Sequence, residues 1–166
     1  MDTKMTWGGI GPKLAILSLP YAILAIFVMN REPGLLNAGF LEGGLYKAIG
    51  YAWLAIGVVF WVSSALYFLH DFKAGKLITR GPYGLCRNPI YASIIVFILP
   101  ALAVLFHSGM VFTIVLILYL NFKLSIHGEC LILSRIYGEE YERYKKSVNE
   151  IIPFPRYLFH RNVSVH

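Results

Sequence analysis

The chain has 166 residues, enough for one domain and too few for two of ordinary size. Hydrophobic residues make up 57% and charged residues 14%, against about 25% charge in a soluble globular domain, and the mean hydropathy is +0.62. A soluble enzyme and a disordered chain are both excluded. The bilayer is the expected solvent, and the net charge of +6 is expected to orient the chain and meet anionic lipid rather than nucleic acid.

Four apolar stretches follow in chain order: Leu14–Met29, Ile49–Leu69, Ile90–Phe106 and Gly109–Phe122. A spanning helix needs about 20 apolar residues, with a range of about 17–25. The first reads as an uncleaved helix rather than a signal peptide, because Pro20 interrupts it and no small-residue cleavage site follows Met29. The second carries no charge. The third and fourth are separated by only His107 and Ser108, which predicts an antiparallel helical hairpin, and the fourth is expected to continue to Ile126. Pro20 and Pro100 are tolerable in a membrane because neighbouring helices can satisfy the carbonyls they free.

Four spans divide the basic residues unevenly. Lys4 and Lys13, the loop Lys73, Lys76, Arg80 and Arg87, and the tail Lys123, Arg135, Arg143, Lys145, Lys146, Arg156 and Arg161 fall on one side; Arg31 and Lys47 fall on the other. The positive-inside rule puts both termini and the loop Asp71–Asn88 in the cytoplasm. Beyond the fourth span, Tyr141, Tyr144 and Val148 recur at helical spacing opposite Glu139, Glu140, Glu142, Arg143, Lys145 and Lys146. That pattern predicts a cytoplasmic amphipathic helix over Gly138–Val148. The expected fold is a single all-α integral membrane domain, residues 1–166, with four transmembrane helices, the third and fourth forming the hairpin.

Two polar segments face the cytoplasm in this reading. In the first, Gly75–Tyr91, Gly81-Pro82 signals a turn, and Pro89 begins the third helix with Asn88 as its N-cap. Taken singly, Tyr83 and Tyr91 suit the interfacial aromatic belt, and Arg87 suits a lipid phosphate. A helix N-terminus at this depth is also suited to an anion. In the second, Glu129 sits close to the membrane edge, where an ionisable side chain faces the bundle interior or a polar cavity. It can pair with Lys123, His127 or Arg135, or accept hydrogen bonds from the ribose or amino group of a bound nucleoside. The five histidines have no ligand spacing, so no metal is assigned, and no glycine-rich dinucleotide fingerprint is present. Cys86 and Cys130 read as ordinary thiols outside any disulfide.

The run Leu77, Thr79, Gly81-Pro82-Tyr83, Arg87-Asn88-Pro89 and Tyr91 resembles the conserved core of isoprenylcysteine carboxyl methyltransferases, a core shared with membrane phospholipid methyltransferases. The resemblance continues through Glu129, Leu133, Tyr137-Gly138, Glu139-Glu140-Tyr141, Tyr144-Lys145-Lys146, Val148 and Ile152-Pro153. It covers about residues 75–154 and implies S-adenosyl-L-methionine bound at the cytoplasmic end of the bundle without a Rossmann domain. By position it places Gly75, Lys76, Leu77 and Ile78 on one cofactor-lining strip, Tyr83 on another, Asn88, Pro89, Ile90 and Tyr91 on a third, and Glu129 as the cofactor-binding glutamate. It names no catalytic residue. Asn88 stands where the family usually has His, and Ser125 stands where eukaryotic members carry a substrate-binding Arg; Lys123 and Arg87 are the nearby cations that can stand in. The expected reaction is methyl transfer to a small lipophilic acceptor, prenylcysteine-like or an amine phospholipid, reached from the bilayer, with no nucleic-acid or protein partner. A membrane reductase using NADPH and a non-enzymatic membrane subunit are the competing readings.

Overall fold

The computed structural model describes residues 10–39, 43–72 and 77–154. These residues are helical, and the described part contains only two isolated β-bridges and no strand. The helices are α1 (Gly11–Arg31), α2 (Gly44–Phe72), α3 (Pro89–Leu105), α4 (Gly109–Tyr137) and α5 (Glu139–Ser147), with a 3₁₀ turn at Gly81–Gly84. Three are long and apolar enough to cross a membrane: α1, α2 over Gly44–Asp71, and α4. The third expected span, α3, is shorter, because non-helical backbone precedes Pro89 and the chain leaves the helix at Phe106. It stands at the lower length limit of about 17 residues.

The interior of α3 explains how a proline is accommodated. Ser93–Ile98 is wound as a π-helix, with the Leu99 N–H reaching back to the Ile94 carbonyl. Pro100 has no N–H to offer the Val96 carbonyl four residues earlier. Trp53 of α2 supplies the missing donor, its Nε1 lying 3.0 Å from the Val96 oxygen. The same interface needs Gly57: a Cβ there would lie 2.7 Å from the Cβ of Phe97. A small residue lets the two helices approach closely, the usual basis of packing where no hydrophobic effect drives association.

The bundle is built in the order α1–α4–α3–α2, each helix packing on the next. The α1–α4 seam is antiparallel and carries polar rungs: Asn121 Nδ2 donates to Ser18 Oγ at 3.0 Å, Tyr21 OH to Thr113 Oγ1 at 2.8 Å, and Ser108 Oγ to Met29 Sδ at 3.2 Å. Most of the large apolar side chains of α1 and α2 are exposed. A bilayer removes the penalty that water would impose on such a surface. Helix α4 runs past the expected end at Ile126, because no proline intervenes and Gly128 alone does not break it; Gly138, with φ +54°, ends it.

The two ends of the bundle differ. At one, the connection after α1 lies on the α3–α4 turn, with Ala38 N–H to His107 O at 2.8 Å and Gly109 N–H to Leu36 O at 2.7 Å. At the other, the first turns of α1 and α3, the end of α4, and α5 meet around a cavity.

Candidate functional site

The loop before α3 is held by chain far away in sequence. Arg87 N–H donates to Asn149 O at 2.8 Å and Asn88 N–H to Glu150 O at 3.1 Å, next to a parallel bridge between Cys86 and Asn149. Asn88 occupies the N-cap position of α3 but makes no capping hydrogen bond. Its side-chain Nδ2 instead donates to Glu150 O at 3.0 Å, so the expected cap is replaced by a tether to the segment after α5. Tyr144 of α5 adds a second tether, donating its hydroxyl to Tyr83 O at 2.7 Å.

α5 itself is short and two-faced. Tyr141 and Tyr144 are buried, Glu139 and Glu140 in the first turn and Lys146 in the last are exposed, and Lys145 is half-buried. Those charges suit both poles of the helix dipole. Ser134 of α4 donates its hydroxyl to Glu142 Oε1 at 2.7 Å and holds that carboxyl below its ordinary range.

Between these elements lies a cavity of about 330 Å³, within the usual range of small-molecule sites, about 300–1,000 Å³. Leu77, Ile78, Tyr83, Asn88, Pro89, Ile90, Tyr91 and Glu129 all line it, as does Arg87. Gly75 and Lys76 lie outside the described residues. Lys123 and Ser125 do not line it. Lys123 Nζ forms an ion pair with Glu150 Oε2 at 2.7 Å, and Ser125 is buried with no partner for its hydroxyl. The cavity is also walled by Leu133, Tyr137, Tyr141 and Tyr144, which belong to the motif without an assigned role, and by residues outside it: Gly11 from α1, Phe68 from α2, and Ile126 and Cys130 from α4. The helical spacing of Tyr141 and Tyr144 marks them as inward-facing. Nothing local in sequence marks Gly11 or Phe68.

Glu129 is half-buried, and it does not form the ion pair with Lys123, His127 or Arg135 that its neighbourhood in sequence suggests. Its carboxylate takes a backbone hydrogen bond from Ile10, and its Oε2 is buried with no partner. An orphaned carboxylate oxygen beside a cavity is costly unless a ligand donates to it. Tyr91 stands opposite α1, its ring centroid 5.6 Å from that of Phe122 with the planes tilted by 50°, and its hydroxyl is close to Gly11. At the first turn of α3, Pro89 has no N–H, and the Ile90 and Tyr91 N–H groups precede the first intrahelical acceptor.

Burial pushes the hydroxyls of Tyr83, Tyr141 and Tyr144 above the ordinary tyrosine range, and at Tyr141 the nearby Cys130 adds to the effect. Burial also pushes the Cys86 thiol up to about 12. At neutral pH these groups keep their protons. The wall therefore presents neutral hydroxyls and aromatic faces, together with one carboxylate and one guanidinium.

The model of the phospholipid methyltransferase family matches residues 42–140. Two rice proteins, from Oryza sativa subsp. indica and subsp. japonica, are each described as a probable protein-S-isoprenylcysteine O-methyltransferase. Each is 32% identical over 86 residues, covering 52% of this chain and 45% of the relative. The chain thus spans about half the length of the curated relatives it matches. No solved structure matches it.

Proposed function

The chain belongs to the phospholipid methyltransferase family, and from that premise we propose that it transfers a methyl group from S-adenosyl-L-methionine to a small lipophilic acceptor, prenylcysteine-like or an amine phospholipid. The observation that carries this reading is the convergence of Leu77, Ile78, Tyr83, Asn88–Tyr91 and Glu129, from two separate sequence segments, on one cavity at one end of an apolar bundle. In this proposal residues 75–154 form the donor-binding core of a single membrane domain. All four helices α1–α4 span, α3 and α4 make the hairpin, and α5 lies at the cytoplasmic face with both termini. The basic residues support that orientation, since Arg31 and Lys47 alone fall on the opposite side.

The cavity fits the donor on its own chemistry. Glu129 Oε2 is a buried acceptor in need of a donor, suited to a ribose hydroxyl or an amino group. The Ile90 and Tyr91 N–H groups are donors at a helix start, and Leu77, Ile78 and the tyrosine rings give an apolar bed. When bound, the donor supplies an electrophilic methyl group on a sulfonium, so the protein contributes position and shielding. A carboxylate, thiolate or free amine acceptor requires no strong base, which agrees with a wall on which Tyr83, Tyr141 and Tyr144 retain their protons.

The test is ligand-dependent thermal stabilisation in detergent, followed by transfer of labelled methyl into a lipid extract. A ligand at 100 times its Kd raises stability by about 2.7 kcal/mol. Stabilisation by S-adenosylhomocysteine with label in a lipid product is expected. Stabilisation by NADPH alone would favour a reductase, and stabilisation by neither a non-enzymatic subunit. Labelling of cysteines placed at Leu36 and Ser147 from opposite sides of the membrane is expected; labelling of both from one side overturns the topology.

A further inference from the structure

Among the described residues, Arg87 is the only basic one that lines the cavity. Lys123, the other cation in reach by sequence, is held by Glu150 and does not line it. The guanidinium of Arg87 has no carboxylate partner among the described residues. Its Nη1 points to the Tyr141 hydroxyl at 3.4 Å and to the Cys130 sulfur at 3.7 Å, both long contacts. Its Nε is buried with no hydrogen-bond partner. Glu129 lines the same cavity without pairing to it. A buried guanidinium edge left without an acceptor is unfavourable in the protein alone. Its backbone is meanwhile fixed by the 2.8 Å bond to Asn149 O, so the side chain springs from a rigid point.

We propose that Arg87 binds a carboxylate inside the cavity, offering its Nε edge to the planar anion while Nη1 stays on Tyr141. The assignment rests on the methyltransferase reading and deepens it. A guanidinium takes a carboxylate through two parallel N–H···O bonds, a geometry that a lysine cannot reproduce. Two participants in the proposed reaction carry such a group: the amino-acid end of the methyl donor, and an acceptor of the prenylcysteine type. An ethanolamine phospholipid acceptor carries none. The site therefore supplies the cation that Ser125 cannot, from the loop before α3 rather than from α4.

Binding calorimetry in detergent tests it with matched ligand pairs. The donor pair is S-adenosylhomocysteine and its decarboxylated analogue; the acceptor pair is an S-prenylated cysteine analogue with a free carboxylate and the corresponding carboxamide. Arg87→Gln is expected to weaken one carboxylate-bearing ligand at least tenfold while its carboxylate-free counterpart changes less than twofold, and Arg87→Lys is expected to fall between. Discrimination within the donor pair assigns the site to the donor, and discrimination within the acceptor pair assigns it to the acceptor. Tyr141→Phe, which removes the hydroxyl holding Nη1 and keeps the ring, is expected to show the same discrimination at two- to fivefold, and it serves if Arg87→Gln does not fold. Equal weakening within both pairs, or no weakening in either, overturns the assignment while leaving the methyltransferase reading intact. Failure of the unmodified protein to bind S-adenosylhomocysteine overturns both.

Discussion

The two ends of the bundle solve opposite problems. Where the connection after α1 meets the α3–α4 turn, the backbone bonds to itself: Ala38 to His107, Leu36 to Gly109, with the Ser108 hydroxyl on Met29. Leu36 and His107 both sit at positive φ, +55° and +49°, a conformation that non-glycine residues hold only when their surroundings overdetermine it. Among the described residues at this end, His107 Nε2 is the one buried side-chain polar atom without a partner. At the far end the chain leaves Glu129 Oε2 and Arg87 Nε orphaned beside an open cavity. One end uses its polarity to hold the fold; the other leaves buried polar atoms beside the cavity without a protein partner.

The comparison breaks most sharply at Glu129. Glu129→Gln is expected to weaken S-adenosylhomocysteine binding at least tenfold, since a hydrogen bond to a charged group contributes about 1.5–3 kcal/mol, while the melting temperature in detergent stays within a degree or two. Unchanged affinity in calorimetry would mean that the orphaned oxygen is structural. Gly109→Ala at the opposite end is expected to do the reverse. Its Cβ would lie 2.7 Å from Leu36 O, so the clasp must shift, at a cost of about 1–3 kcal/mol seen as a lower melting temperature. Donor affinity of the protein that remains folded should be unchanged, and a loss there would show that the two ends are coupled. The smallest effect is expected midway. Asn121→Ala removes the rung to Ser18 and should cost about 0.6 kcal/mol, the mean for such bonds between membrane helices, with no effect on ligand binding.

Much of this was legible in the chain because its signals are local. The apolar runs mark α1, α2 and the first half of α4, and the spacing of Tyr141, Tyr144 and Val148 marks the buried face of α5. The clustering of Leu77, Tyr83, Asn88–Tyr91 and Glu129 follows from the motif. What escaped is set by partners far off in sequence. Asn88 is placed as a cap by its neighbours, yet its side chain goes to Glu150, 62 residues on. Lys123 reads as a free cation until Glu150 is folded beside it. The π-wound middle of α3 carries no compositional mark beyond Pro100, and the tryptophan that completes it belongs to α2. Gly11 and Phe68 reach the cavity only because the bundle brings α1 and α2 to it.

The bonds from Asn149 and Glu150 back to Arg87 and Asn88 also order events in time. A chain emerging from the ribosome meets its apolar helices first, and these can enter the bilayer and pair along their seams as they are made. The cavity cannot close at that stage, because Tyr141 and Tyr144, which wall it, and the segment that pins its loop are translated after α1–α4. The cavity is therefore completed only once these helices have been made, and a nascent chain still short of residue 150 has part of its wall.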